Sequence, residues 1–306
     1  MTKKTTKTGK KPAKSSASKS SMVKDPLTKQ QLSKRHGQFR SSKEDMKLVK
    51  QVPETPQTTS KAYSLAFDDR EFMTREELRP VRLQLELLKT EMLMQEAGIE
   101  STVVLFGGAR IPAPGAKPGG ANEIQNKNLK AKAHYYEVAR KFAALCSKQS
   151  KKTGYSEFVV CSGGGPGVME AANKGAAELG APSIGLNIVL PHEQAPNSYV
   201  TPELSFQFHY FAIRKMHFLM RAKAITAFPG GFGTMDELFE TLTLIQTQRA
   251  APMPVVLFGE EFWRKIINFE ALADEGTISP EDLDLFKFAE TAEQGWNIIK
   301  DWWKLS

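Results

Sequence analysis

Between residues 99 and 306 the chain repeats one pattern: a short, solidly apolar run, a stop at glycine, then apolar positions spaced three and four apart. TVVLF at 102–106 stops at Gly107 and Gly108, passes a Gly/Pro-rich loop between 112 and 120, and enters a helical pattern over roughly 124–148. EFVVCS at 157–162 stops at Gly163–Gly165 and enters VMEAANKGAAELG. SIGLNIVLP at 183–191 is a further apolar run. AITAF at 224–228 stops at Pro229-Gly230-Gly231 and leads into TMDELFETLTLIQ, and MPVVLFG at 253–259 is one more run. Strands apolar on both faces that alternate with helices predict a parallel sheet covered on both sides.

The expected fold class is therefore α/β: a doubly wound, Rossmann-like parallel sheet with helices on both faces. In such sheets ligands bind beyond the carboxyl ends of the strands. Three glycine turns fall at those ends, at 107–108, 163–167 and 230–233.

Upstream the pattern changes. Residues 1–60 are rich in Lys, Ser, Thr and Pro and poor in large apolar side chains, so they bury too little surface to offset ordering entropy. They read as a disordered basic tail. Residues 61–98 read as a helical N-terminal extension. Thr74 and Glu77 have capping-box spacing, Pro80 sits in the first turns, and Leu83, Leu87, Leu88 and Met92 fall on helical spacing up to Gly98. Residues 99–306 form the expected Rossmann-like domain, which carries all three glycine turns.

Charge sharpens this division. The formal net charge is +8, but residues 1–50 hold 15 Lys/Arg against 3 Asp/Glu, leaving 27 against 31 for the rest. The basicity belongs to the tail, which suits weak contact with RNA or an anionic surface, or simply solubility. No apolar run approaches the roughly 18–20 residues of a membrane helix, and no secretory pattern is present. Cys146 and Cys161 lie in apolar surroundings without a CxxC or Cys/His cluster, which reads as a reducing, cytoplasmic setting. The histidines, at 36, 134, 192, 209 and 217, are scattered, so no metal site is expected; His209 and His217 read as structural.

Glycines at strand ends let a ligand approach the backbone, and a following helix N-terminus offers free N–H groups. Gly163, Gly164, Gly165 and Gly167 make one such anion site; Gly230, Gly231, Gly233 and Thr234 make the other. Neither is a Walker A loop, because no Gly-Lys-Ser/Thr follows, and no acid ends the next strand as a dinucleotide site requires. Glu237 follows Thr234 by three residues, so it closes a capping box or faces a ligand; spacing leaves both open. FAIRKMHFLMRAKAITAF feeds directly into the strand that ends at Pro229, placing Arg214 and Lys215 either toward the same ligand or in solvent.

The pairing of RK at 214–215 with PGGFGTMDE at 229–237 resembles the Lonely Guy (LOG) family, whose signature is Pro-Gly-Gly-x-Gly-Thr-x-x-Glu preceded by an arginine. GGGPGVMEAANKGA resembles that family's second glycine motif, and the likeness runs from about 100 to 304. The resemblance implies a nucleoside 5′-monophosphate phosphoribohydrolase of AMP-nucleosidase type, cleaving AMP or a cytokinin riboside monophosphate to free base and ribose 5-phosphate. It implies Arg214 and Glu237 as the catalytic pair. It further implies phosphate and substrate contacts at Gly230, Gly231, Gly233, Thr234, Gly164, Gly165, Met169 and Lys215. A homodimer and no cofactor are also implied. The chain is longer than short family members, which favours a general purine nucleotide, AMP first, over a cytokinin. Family members are often labelled lysine decarboxylases, yet no lysine here stands out as a Schiff-base anchor. The alternative reading is a non-catalytic nucleotide or nucleic-acid binding module of the same fold.

Overall fold

A computed structural model describes residues 39–191 and 195–305. The chain divides into two compact units, Met1–Met73 and Thr74–Ser306. In the first, α1 (Ser42–Val49) is followed by the single turn α2 (Arg70–Met73). Most of the expected tail, 1–38, lies outside the described residues; within its last part α1 is helical. Ser41 accepts from the Glu44 amide and Glu44 accepts from the Ser41 amide, a closed capping box. No residue of α1 is buried, so local capping rather than a core forms it.

The second unit opens with α3 (Arg79–Glu96) and β1 (Thr102–Phe106), then α4 (Glu123–Ala131) and α5 (His134–Lys151). It continues with β2 (Val159–Ser162), α6 (Val168–Ala177), β3 (Ser183–Ile188) and β4 (Ser205–Phe208). Next come α7 (Phe211–Met220), β5 (Ala222–Ala227), α8 (Phe232–Gln246) and β6 (Val255–Phe258). The chain closes with α9 (Glu260–Ile266), α10 (Phe269–Asp274), β7 (Lys287–Ala289) and α11 (Ala292–Trp303). All seven strands are parallel, in the order β4-β3-β2-β1-β5-β6-β7. The winding reverses between β1 and β5, and the loops leaving those strands diverge to form a crevice.

Alternation along β1 shows the two layers. Val103 and Leu105 pack with Phe142 of α5, Val168 of α6 and Ile299 of α11 in one core. Val104 and Phe106 pack with Met94 of α3, Phe218 of α7 and Leu238 of α8 in the other. The doubly wound expectation holds. The α5–α6 contact is unusually close: a Cβ on Gly175 would stand 2.0 Å from the Arg140 carbonyl oxygen.

Several local expectations are corrected. The capping box at Thr74 is not the start of the long helix. A 3₁₀ turn occupies Glu76–Leu78, and α3 begins at Arg79 with Leu78 as an N-cap that makes no side-chain cap bond. Its inward stripe runs through Leu83, Leu87, Thr90 and Met94, whereas Leu88 and Met92 are exposed. The single helix expected at 124–148 is two, α4 and α5, broken at Lys132 and Ala133. The edge strand β4 and three-residue β7 carry too little apolar pattern to be read from sequence.

Candidate active site

The crevice is organised by α7 and α8, which flank β5. The Phe228 amide donates to Phe106 (2.9 Å) and the Gly108 amide to Pro229 (3.0 Å), tying the loops after β1 and β5 together. α8 then starts at Phe232 with Gly231 as N-cap, and no side chain caps it. Its first-turn amides are thus left for a ligand or solvent. Thr234 stands at the third helical position and Glu237 a full turn further on, so the capping-box alternative for Thr234 and Glu237 is excluded. A Cβ on Gly230 would lie 2.2 Å from Thr234 Oγ1, so only glycine fits beneath that hydroxyl.

Arg214 is buried in α7, its Nε donating to the Leu186 carbonyl of β3 at 2.7 Å and its guanidinium lying 5.0 Å from the Phe218 ring centroid. Gly163, at the end of β2, makes room for it: a Cβ there would stand 2.6 Å from Arg214 Nη2 and 2.8 Å from Met169 Sδ. Arg214 Nη1 faces Glu237 Oε1 at 3.6 Å, with side-chain exposures of only 10% and 13%. Burial pushes the Glu237 carboxyl up to about 7; Arg214 and Lys215 pull against this, while Asp236 and Glu240 add to it. Behind the pair, burial also pushes the Cys161 thiol up, so it stays protonated and unreactive.

These groups border one cavity of about 820 Å³. Gly230, Gly231, Gly233, Thr234, Glu237, Arg214 and Met169 all line it, as does Gly163. Gly164, Gly165 and Lys215 do not. The Gly164 and Gly165 carbonyls accept from Asn197 Nδ2 at 3.1 and 3.0 Å, and Gly164 turns at φ +72°. Asn197 also donates to Asn173, which accepts from Ser162 and donates to Ser183, so a buried polar network holds the second glycine turn. Lys215 Nζ reaches Asp236 and Glu240, each at 3.0 Å.

The sequence reading missed Arg110 and Lys132, which bring positive charge to the cavity, and the apolar Ile188, Leu190, Phe211 and Phe262. Arg110 follows the first glycine turn directly, and that position was a usable signal. His209 and His217 lie off the cavity, with His217 buried against Phe208. Among the described residues no cluster of His, Cys, Asp or Glu could hold a metal, and no helix is long and apolar enough to cross a membrane.

A doubly wound parallel sheet with a glycine loop, a helix N-terminus and a buried Arg–Glu pair at its switch point places the protein in the Rossmann-like α/β class. Comparison with known proteins carries this further. Residues 169–299 match the family described as "Possible lysine decarboxylase". The cytokinin riboside 5′-monophosphate phosphoribohydrolase LOG3 of Arabidopsis thaliana is 25% identical over 175 residues, 50% of this chain and 80% of that protein. The likeness to the Lonely Guy family is thereby borne out. Two solved structures are also similar. The molybdenum cofactor binding protein of Rippkaea orientalis has 18% identity and a TM-score of 0.40, covering 66% of this chain and 96% of that one. The Moco carrier protein of Chlamydomonas reinhardtii has 18% identity and a TM-score of 0.41, covering 67% and 98%.

Proposed function

We propose that the protein hydrolyses the N-glycosidic bond of a purine nucleoside 5′-monophosphate, AMP first, releasing free base and ribose 5-phosphate. The observation that carries this reading is the buried Arg214–Glu237 pair beside an uncapped helix N-terminus in one cavity. The first-turn amides of α8 and the Thr234 hydroxyl hold the 5′-phosphate, where the helix dipole favours an anion. Gly231 and Gly233 have open space where a Cβ would stand, so the phosphate meets backbone directly. Anchoring this remote group supplies binding energy that positions the sugar.

Cleavage passes through an oxocarbenium-like ribose. Ionised Glu237 stabilises that positive charge and takes a proton from the attacking water as the new C1′–O bond forms. The C1′–N bond breaks, its electron pair stays on the base, and solvent protonates the base. Arg214 holds the substrate through its forked donors and keeps Glu237 oriented.

A homodimer is part of this reading. α7 and α8, which carry the pair, expose Met216, Met220, Phe232 and Phe239, an apolar surface suited to a second copy. Light scattering on the purified chain tests this: a monomeric mass at micromolar concentration removes the dimer from the reading.

The activity test is chromatography of the protein incubated with AMP, GMP, CMP or UMP, with Glu237→Ala as control. Adenine and ribose 5-phosphate from wild type but not the variant is the expected result. Binding of AMP without release of base by folded wild type would leave a non-catalytic nucleotide-binding module.

A further inference from the structure

Two neighbouring cations on α7 each meet acids on α8, but in different surroundings. Arg214 faces the cavity and meets Glu237. Lys215, one residue on and turned by about 100° around the helix, meets Asp236 and Glu240. Asp236 and Glu240 are spaced i,i+4 on the outer face of α8, where like charges repel. Lys215 stands between them, 3.0 and 3.1 Å from the two Asp236 oxygens and 3.0 Å from Glu240. Its side chain is 18% exposed, so the contact is more than a solvated surface pair.

We propose that Lys215 is a positioning residue of the site: its ammonium, shared by Asp236 and Glu240, locks the rotation of α8 that sets Glu237 against Arg214 and shields Glu237 from those two carboxylates. This rests on the N-glycosidase reading only for its activity readout. It stands as the alternative to the substrate contact that the family resemblance implies for Lys215.

The electrostatics follow from geometry. Among the described residues, the charged or titratable groups acting on Glu237 are Arg214 and Lys215 from α7, and Asp236 and Glu240 from α8 itself. Cys161, from β2, is a buried, protonated thiol. Without Lys215, Glu237 shares two turns of helix with two carboxylates that have lost this ammonium, and of the two cations that oppose them among the described residues Arg214 remains. Burial draws the Lys215 pKa down, but its bonds to Asp236 and Glu240 outweigh that and raise it, so the ammonium stays charged throughout the range in which Glu237 titrates.

The test compares wild type, Lys215→Met, Lys215→Arg and the triple variant Lys215→Met/Asp236→Asn/Glu240→Gln by the pH profile of kcat/KM for AMP. The acid limb of Lys215→Met is expected to move up by roughly one pH unit, about a tenfold loss below the limb, with KM close to wild type. Lys215→Arg keeps the wild-type limb, and the triple variant moves it back down. A raised KM with an unmoved limb would show that Lys215 touches substrate, and no change in either would show that the brace does not govern the site; both overturn the proposal. If wild type releases no base, the hydrolase reading fails separately. The proposal is then decided by carbon-detected NMR titration of Glu237, assigned with Glu237→Gln. A higher midpoint in folded Lys215→Met supports it and an unchanged midpoint sinks it.

Discussion

Arg214 Nη1 and Glu237 Oε1 stand 3.6 Å apart with both side chains nearly buried. That spacing is an ion pair but too long for a direct hydrogen bond. The two charges face each other on the wall of the cavity.

If the ionised carboxylate is what stabilises the sugar cation, replacing it is more damaging to turnover than to binding. Glu237→Ala should lower kcat for AMP by about 10²–10³-fold or more, while equilibrium dialysis shows AMP still bound. Loss of binding together with turnover would place Glu237 in recognition instead.

Activity should rise with pH through about 7, the point to which burial pushes Glu237, because only the ionised form acts. Stability should run the other way. The folded pKa lies above the ordinary carboxyl value, so the folded state binds more protons between about 4.5 and 7 and loses stability as pH rises through that window. The effect of Glu237→Gln on unfolding free energy should therefore be more favourable at pH 8 than at pH 4 by on the order of 2 kcal/mol. Urea unfolding at the two pH values measures this, and equal effects at both would refute the burial argument.

Gly163 is occupied by the guanidinium's own space. Gly163→Ala puts a methyl 2.6 Å from Arg214 Nη2 and 2.8 Å from Met169 Sδ. The expected result is a folded protein destabilised by about 1–3 kcal/mol and at least tenfold less active. Wild-type kinetics would mean Arg214 can shift without consequence.

Gly175 serves as the contrasting case. Gly175→Ala drives a methyl to 2.0 Å from the Arg140 carbonyl, a backbone atom that cannot swing aside. Thermal unfolding should show one of the larger losses available to a single methyl, while any folded fraction keeps the wild-type pH profile, since α5 and α6 meet on the face of the sheet opposite the Arg–Glu pair.

The order of elements was largely written in the sequence, because each buried strand needs a continuous apolar run and each turn at its end needs glycine. TVVLF, EFVVCS, SIGLNI, AITAF and PVVLF therefore announced β1, β2, β3, β5 and β6. The glycine loop at 230–234 was equally legible, since local backbone geometry demands those residues. β4 and β7 were not, because four and three residues at a sheet edge carry almost no periodicity.

Where Thr234, Lys215 and Glu237 stand, and what they meet, was decided only by tertiary structure. Whether Thr234 caps depends on where α8 starts, and the close tie between the β1 and β5 loops sets that start at Phe232. Whether Lys215 meets phosphate or acid depends on the rotation of α7 against α8, which core packing sets and a linear pattern does not encode. Glu237 has the composition of an ordinary helix acid; burial in the crevice raises its pKa against the opposing pull of Arg214, which lies 23 positions earlier in the chain.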